Sequence, residues 1–388
     1  MSPRPLLPDT LGATARRIGL GHYPGVRQFV VQHLYPDTLR LLLLLHAHVP
    51  IDCVIGIGYS GNAGVVDALR HAGIRVLTPR YDELEHTVQT ELVASLARCR
   101  AAGHELMLHE VGGYSIQALH THATEHLDRV VGAIEVTKQG VWVAEALPRL
   151  RIPQLNCAQT RLKQVEGKLV GEAVVAAFDV IARDLGLALT GRQARLSGYG
   201  WVGKGAAEAL RVRGVAVTVH DTDPVKAVNA AVDGFQVRYA EARVATSLGA
   251  PAIALGTSGQ CSIDRAVLAT LPDGCFLVSG ASKDHEIDLA ALADATGDTA
   301  SIHPHVVAHT LHDGRTLYLV NGGFPVNFTG SSVPDEIVEF LFAELIMLVP
   351  ELLDTRPPPG VYPLPDALEA VVADIWLTQR QAGVPGMA

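Results

Sequence analysis

The sequence predicts an α/β protein of two Rossmann-like domains joined by one long hinge helix. Three observations predict it. Strand-like apolar runs alternate with Ala/Leu-rich stretches along most of the chain, the pattern of parallel α/β units. Residues 162–184 contain no proline, and Leu169, Val170, Ala173, Ala177, Val180 and Ile181 recur at helical spacing. Two GxGxxG strings, Gly56 to Gly61 (GIGYSG) and Gly198 to Gly203 (GYGWVG), each stand between a strand-like and a helix-like run.

Cys53 to Gly56 reads as a buried strand and Ala63 to Ala72 as a helix closed by Gly73, with the next strand at Arg75 to Leu77. A helix from Glu91 to Ala102 and a strand from Glu105 to Leu108 come next. The long helix, Leu162 to Asp184, ends at the break Gly186 to Gly191. A second series then begins: strand Ala194 to Ser197, helix Ala206 to Val212, strand Val215 to His220. After Pro325 the pattern turns helical over Asp335 to Val349, passes the proline-rich turn Arg356 to Gly360, and ends in a helix from Leu364 to Gln379. Two such helices alone cannot bury an apolar face, so this piece is expected to pack on the first domain. The division expected is 1–170 with 333–388 as a discontinuous substrate domain, and 171–332 as the dinucleotide-binding domain.

Composition narrows the function. Of 388 residues 48% are hydrophobic and 18% charged, which is globular. Lys plus Arg is 31 against 40 for Asp plus Glu, a net charge of -9 that argues against coating nucleic-acid phosphates. The five cysteines are widely spaced and form no CxxC pair, so neither a disulfide framework nor a cysteine zinc site is expected. Leu41 to Leu45, the longest apolar block, is too short for a membrane helix. Met1 to Leu20 holds no secretory h-region, so a cytoplasmic location is expected. His120, His122 and His126 with Glu125 form an HxHxxxH string, a spacing that could place ligands together on a helix. His303, His305, His309 and His312 are expected to be solvated or to line a gate, with one of them a candidate proton shuttle. Ser60 lacks the nucleophile elbow of a serine hydrolase.

The two glycine strings part company at the end of the next strand. Val217 to His220 leads into Asp221, 23 positions beyond Gly198, where an acid grips the ribose hydroxyls. The strand after the first string leads into Thr78-Pro79, so that string is expected to be a tight turn in a Rossmann-like scaffold. The second is a dinucleotide turn, and Asp221 favours NAD over NADP by repelling a 2′-phosphate, a preference Lys226 could soften.

Ser197 to Phe235 (SGYGWVGKGAAEALRVRGVAVTVHDTDPVKAVNAAVDGF) resembles the NAD-binding segment of the S-adenosyl-L-homocysteine hydrolase family. Ile152 to Gly171 (IPQLNCAQTRLKQVEGKLVG) is similar to that family's hinge and lysine segment, Gly256 to Gln260 (GTSGQ) to its Thr-Gly-Asn turn, and Glu286-Ile-Asp288 to its Glu-Ile-Asp. Asp313-Gly-Arg315 and Val326-Asn327 resemble the stretch leading to the nicotinamide. The resemblance implies a chemistry in which NAD+ oxidises a nucleoside 3′-hydroxyl, the 4′ proton is lost, the 5′ substituent leaves, water adds, and the ketone is reduced again. It implies cofactor contacts at Thr137, Lys138 and Gln139, then at Gly198, Gly200, Val202, Gly203, Asp221, Lys226, Thr257, Ser258, Gly259, Gln260 and Asn327. Lys163 matches the family's lysine at the oxidised hydroxyl, where a desolvated amine acts as a base, and His33 an early histidine of the substrate pocket.

Departures gather on the substrate side. The family's Asp-Asp-Gly-Gly-Asp stands here as Glu110-Val111-Gly112-Gly113-Tyr114, and its Glu-Glu as Glu135-Val136. Glu110, Tyr114 and Glu135 are therefore the expected substrate contacts. The Asp-Asn pair after the lysine is Gly167-Lys168, with Glu166 a candidate carboxylate in its place. The Gly-His before Glu286 is Ala281-Ser282, with His285 out of register, and the later His-Pro is Val333-Pro334. The family's lysine- and tyrosine-bearing tail has no counterpart before Ala388, so the homo-oligomer expected from the resemblance is a dimer or a tetramer. The expectation is an NAD-dependent enzyme on a nucleoside-like or modified small-molecule substrate, with no nucleic acid, membrane or metal involved. Its rivals are a dehydrogenase that releases NADH and a non-catalytic NAD-binding regulator.

Overall fold

A computed structural model describes residues 9–239, 250–281, 283–330 and 332–383. The chain divides into two units, Met1–Lys163 with Pro334–Ala388, and Gln164–Val333. Ser282 and residues 384–388, on which two of the departures rest, lie outside the described residues.

Unit 1 opens with α1 (Thr10–Ile18), β1 (Val26–Leu34) and α2 (Pro36–His48), then β2 (Ile51–Gly61), α3 (Ala63–His71) and β3 (Arg75–Leu77). Next come α4 (Leu84–Ala102), β4 (Glu105–Glu110), α5 (Tyr114–His122), β5 (Val130–Glu135), α6 (Lys138–Ala146) and β6 (Pro153–Asn156). The helix α4 starts earlier than Glu91 because Leu84, Val88, Leu92, Leu96 and Cys99 form one buried stripe.

The first glycine string is corrected by the structure. Gly56 to Gly61 is the last part of β2, not a turn, and none of its glycines takes a positive φ. Its glycines serve close packing: a Cβ on Gly56 would stand 2.7 Å from the Leu34 side chain, and one on Gly58 2.7 Å from the Tyr81 nitrogen.

The helix α7 (Arg161–Asp184) carries the chain across the unit boundary, which falls at Lys163 inside it. Unit 2 continues with β7 (Gln193–Ser197), α8 (Trp201–Val212), β8 (Ala216–Asp221), α9 (Pro224–Val232), β9 (Gln236–Tyr239) and β10 (Ile253–Gly256). Then come α10 (Arg265–Leu268), β11 (Cys275–Ser279), α11 (Leu289–Ala295), β12 (Thr296–His303), β13 (Val306–Leu311) and β14 (Thr316–Val320). Its sheet runs β12-β13-β14-β11-β10-β7-β8-β9, with β12-β13 and β13-β14 paired antiparallel and the other pairs parallel. The strand order reverses between β7 and β10, which puts a crevice outside their carboxyl ends.

Glycines bring α7 and α8 together. A Cβ on Gly171 would run into the Val202 carbonyl oxygen, and one on Gly205 into that of Lys168. Both obstacles are backbone atoms, so Gly205→Ala is expected to destabilise unit 2 by about 1–3 kcal/mol, seen as a lower midpoint in chemical denaturation. These glycines also explain why α8 starts at Trp201 rather than Ala206. Its first turns carry Gly203 and Gly205, which weaken the local helix signal while permitting the packing.

The chain returns to unit 1 with α12 (Asp335–Leu353), β15 (Gly360–Pro363) and α13 (Asp366–Gly383). The sheet of unit 1 is wholly parallel in the order β15-β6-β5-β4-β1-β2-β3, with its switch point between β1 and β4. Most of α12 is buried, against α1, α2, β5, β6 and α13. No described helix is long and apolar enough to cross a membrane.

Candidate functional site

In unit 2 the glycine turn joins β7 to α8. Gly198 sits at φ 96°, and a Cβ there would stand 2.7 Å from the Ser258 backbone. One on Gly203 would strike the Gly198 carbonyl oxygen and approach Thr257 Oγ1 to 2.8 Å. A Cβ on Gly200 would meet nothing within 4 Å, so the turn faces open space at the start of α8. That arrangement suits a pyrophosphate on a helix N-terminus.

Asp221 ends β8 with its side chain in place before any ligand arrives. Its Oδ2 accepts from the Tyr199 N–H at 2.6 Å and its Oδ1 from the Asp223 N–H at 2.9 Å. Each oxygen retains lone-pair capacity for a ribose hydroxyl. Val202 lies in the first turn of α8. Lys226 is exposed on α9, 3.9 Å from Asp223.

The turn after β10 is organised by a residue that sequence reading left without a role. Glu286 is fully buried and accepts from the Gly259 N–H at 2.5 Å, from Ser258 Oγ at 3.0 Å and from Ser262 Oγ. Thr257 Oγ1, at 2.8 Å from the Gly198 carbonyl, ties this turn to the glycine turn. Burial raises the Glu286 pKa to about 7. Gln260 is exposed, while Asn327 is buried, donates to Ser332 Oγ at 2.9 Å and leaves its Oδ1 with no hydrogen bond. The histidines His303, His305, His309 and His312 lie on or beside the antiparallel hairpin β12-β13; His303 pairs with Asp184 at 3.5 Å and His309 with Thr296 at 3.2 Å.

In unit 1 the expected substrate-side residues collect at the carboxyl edge of the sheet, around its switch point. His33 stands one residue before the end of β1, Glu110 ends β4 and Glu135 ends β5; Tyr59 and Ser60 near the end of β2 and Cys157 just after β6, to which the sequence assigned no substrate role, lie at the same edge. Tyr59 contacts the rings of His33 and Tyr81, at 5.7 and 5.4 Å between centroids. Tyr114 is buried beside Tyr81 at the start of α5, and burial raises the pKa of its hydroxyl.

The two expected carboxylate contacts turn out to be organisers of loops. Glu135 is fully buried and takes the N–H groups of Gly112, Gly113, Val136 and Thr137, together with the Thr137 hydroxyl. Glu110, also fully buried, takes the Ile116 N–H at 2.8 Å. Burial and the nearby Glu135 push its pKa up to about 8. Glu135 thus spends both oxygens on these loops, whereas Glu110 has its Oε2 without a hydrogen-bond partner. Thr137 is committed in the same way, donating to Glu135 and accepting from Gly112 and Gly140; Lys138 and Gln139 stand half-buried in the first turn of α6. Where the resemblance has second carboxylates, Val111 and Val136 are buried.

Lys163 lies in the first turn of α7, and its N–H donates to Thr160 Oγ1 at 3.1 Å. The C-terminal segment of unit 1 holds this helix start. Glu369 accepts from the Leu162 N–H at 2.8 Å and from Arg161 at 3.1 Å, and Glu344 on α12 accepts from the Thr160 hydroxyl at 3.0 Å. Glu344 is fully buried, and burial lifts its pKa to about 8 against the opposing charge of Lys163. Desolvation and Lys163 push half-buried His33 down to about 4. Glu166 lies one turn further along α7, half-buried. Glu344 and Glu369 were legible only in part: Glu344 is a lone acid inside the apolar run Phe340 to Val349, the mark of a paired or functional buried charge.

These buried groups fix a pH dependence of stability. Glu110 and Glu344 stand at about 8, and Glu286 and Glu339 at about 7, against about 4.3 for an unfolded glutamate. His33 and His109 stand at about 4 and His220 at about 3, so above the unfolded histidine value of about 6.5 they are neutral in both states. Between about pH 6.5 and 8 unfolding thus releases carboxyl protons that the fold retains, and stability falls as pH rises. Thermal denaturation across that window should show a falling midpoint, with a shallower slope in Glu110→Gln; a rising midpoint in the wild type would contradict the assignment.

The strand order, the glycine turn and the acid after β8 define unit 2 as a dinucleotide-binding Rossmann domain. Residues 173–333 match the family model for the S-adenosyl-L-homocysteine hydrolase NAD binding domain. The chain is 28% identical to the S-inosyl-L-homocysteine hydrolase of Methanothermobacter thermautotrophicus, over 89% of its own length and 82% of that protein's. It is 29% identical to the adenosylhomocysteinase of Thermotoga maritima (82% and 78% of the two chains) and to that of Pyrococcus abyssi (92% and 83%). The chain is thus similar to the S-adenosyl-L-homocysteine hydrolases, and residues 173–333, in unit 2, match the model of that family's NAD binding domain.

Proposed function

We propose that the chain is an NAD-dependent enzyme that oxidises a hydroxyl of a nucleoside-like substrate transiently, eliminates or adds a group at a neighbouring carbon, and restores the hydroxyl. The observation that carries this reading is the setting of Lys163, locked at the start of α7 by Glu369 and by Thr160-Glu344, within the electrostatic reach of His33, in a chain whose other unit binds NAD. The open Gly200 turn and the prepared Asp221 support a fit to NAD. When bound, the nicotinamide cation supplies a hydride acceptor for a carbinol carbon.

The remaining work falls to side chains. Lys163 takes the hydroxyl proton, and the carbonyl that results acidifies the adjacent C–H. His33, held neutral near pH 7, accepts or returns a proton on the substrate side. Glu166 is the candidate carboxylate on the lysine helix. The buried Val111 and Val136 support a substrate gripped by fewer charged groups than the resemblance implies. The names of the relatives support a nucleoside thioether of homocysteine, adenosyl or inosyl, as the first substrates to test.

Protein loaded with NAD+ should show the near-ultraviolet absorbance of reduced nicotinamide on mixing with S-adenosyl- or S-inosyl-L-homocysteine, adenosine or inosine, without release of free NADH. Steady accumulation of free NADH would support a dehydrogenase instead, and tight NAD+ binding with no substrate-dependent signal a regulator.

A further inference from the structure

The β1-β2 ladder is interrupted at one point. Gln32 pairs with Gly56 and Leu34 with Gly61, so residues 57–60 of β2 lie opposite the single residue His33. Such an irregularity re-aims side chains near active sites. It also takes the carbonyl of buried Ile57 out of register with β1, while β3 stops pairing at Ile55. Ser60, 1% exposed, fills the gap: its Oγ is 3.1 Å from the Ile57 carbonyl oxygen and 2.5 Å from Nδ1 of His33.

A hydroxyl has one proton to give. The Ile57 carbonyl can only accept, and buried carbonyls are rarely left unpaired. The Ser60 proton therefore goes to Ile57, and the contact with His33 must be a ring N–H donated to Ser60 Oγ. We infer that Ser60 fixes His33 in the tautomer protonated at Nδ1, which makes Nε2 the acceptor of the ring and Ser60 a positioning residue for proton transfer at His33. The same geometry argues against Ser60 as a nucleophile, because His33 is the donor in this contact and takes no proton from it.

The functional half of this inference rests on the proposed role of His33; the tautomer does not. Full-length protein labelled with 15N-histidine, with His33 assigned by loss of its signals in His33→Gln, reports the tautomer directly near neutral pH. The expected spectrum has a protonated-type nitrogen at Nδ1 and an unprotonated-type nitrogen at Nε2. Ser60→Ala should shift His33 toward the Nε2-protonated form, while Ser60→Thr, which keeps the hydroxyl, should retain the wild-type pattern. An Nε2-protonated wild type, or an unchanged tautomer in Ser60→Ala, would overturn the assignment. With an active substrate in hand, Ser60→Ala should lower kcat on the order of 10²-fold with KM nearly constant and with recovery in Ser60→Thr; unchanged kcat despite a changed tautomer would overturn the positioning role. Full turnover by His33→Gln would instead overturn the proposed function and leave the tautomer assignment standing.

Discussion

Replacing Lys163 with methionine is expected to lower turnover by about 10²- to 10⁴-fold, the contribution typical of a positioned general base, while NAD+ binding measured by calorimetry stays nearly constant. The side chain keeps its length and apolar stem, so the loss isolates the amine. The backbone of this turn stays anchored, because Glu369 and Thr160 engage the N–H groups of Leu162 and Lys163 rather than the amine. Removing the amine also relieves His33 of a neighbouring positive charge, so its pKa should rise in the variant. Retained turnover in Lys163→Met would remove Lys163 from the chemistry.

A pair of glycine substitutions should separate folding from cofactor binding. Gly203→Ala drives a methyl into the Gly198 carbonyl and toward Thr257 Oγ1, atoms fixed by the turn itself. It should cost about 1–3 kcal/mol of stability and abolish measurable NAD+ binding together. Gly200→Ala meets no protein atom within 4 Å, so the fold should keep its thermal midpoint. The methyl would nevertheless occupy the space over which a pyrophosphate must pass, and NAD+ affinity should fall by about tenfold or more, equivalent to about 1.4 kcal/mol. Wild-type affinity in both variants would place the dinucleotide elsewhere.

The sequence was readable where one residue type is demanded by backbone geometry or by a local pairing. Gly198 at φ 96° and Asp221 against the Tyr199 amide are such cases. The first glycine string shows the opposite: glycine there answers a need for close packing by Leu34 and the Tyr81 backbone, and sequence alone does not distinguish that need from a turn. Glu110 and Glu135 show a second limit. Glu110, the carboxylate beside the glycine pair, takes the Ile116 N–H, while the amides of Gly112 and Gly113 go to Glu135, 23 and 22 residues along the chain, a pairing that only the folded chain reveals. Ser60 matters through an irregularity between two strands, and Glu344 through a helix far along the chain that returns to Thr160. Long-range contacts of this kind leave no local spacing to read, although the isolated acid in an apolar helix was a usable sign.

Solvent exchange tests the proposed chemistry most directly. Protein loaded with NAD+ is incubated in heavy water with adenosine, inosine and their homocysteine thioethers, and the recovered nucleosides are analysed by mass spectrometry and NMR. Transient oxidation beside an acidified carbon predicts deuterium at the 4′ position, dependent on NAD+ and lost in Lys163→Met, without accumulation of free NADH. Oxidised product with equivalent NADH and no deuterium at 4′, or NAD+ binding with neither exchange nor turnover for any of the four, would contradict it.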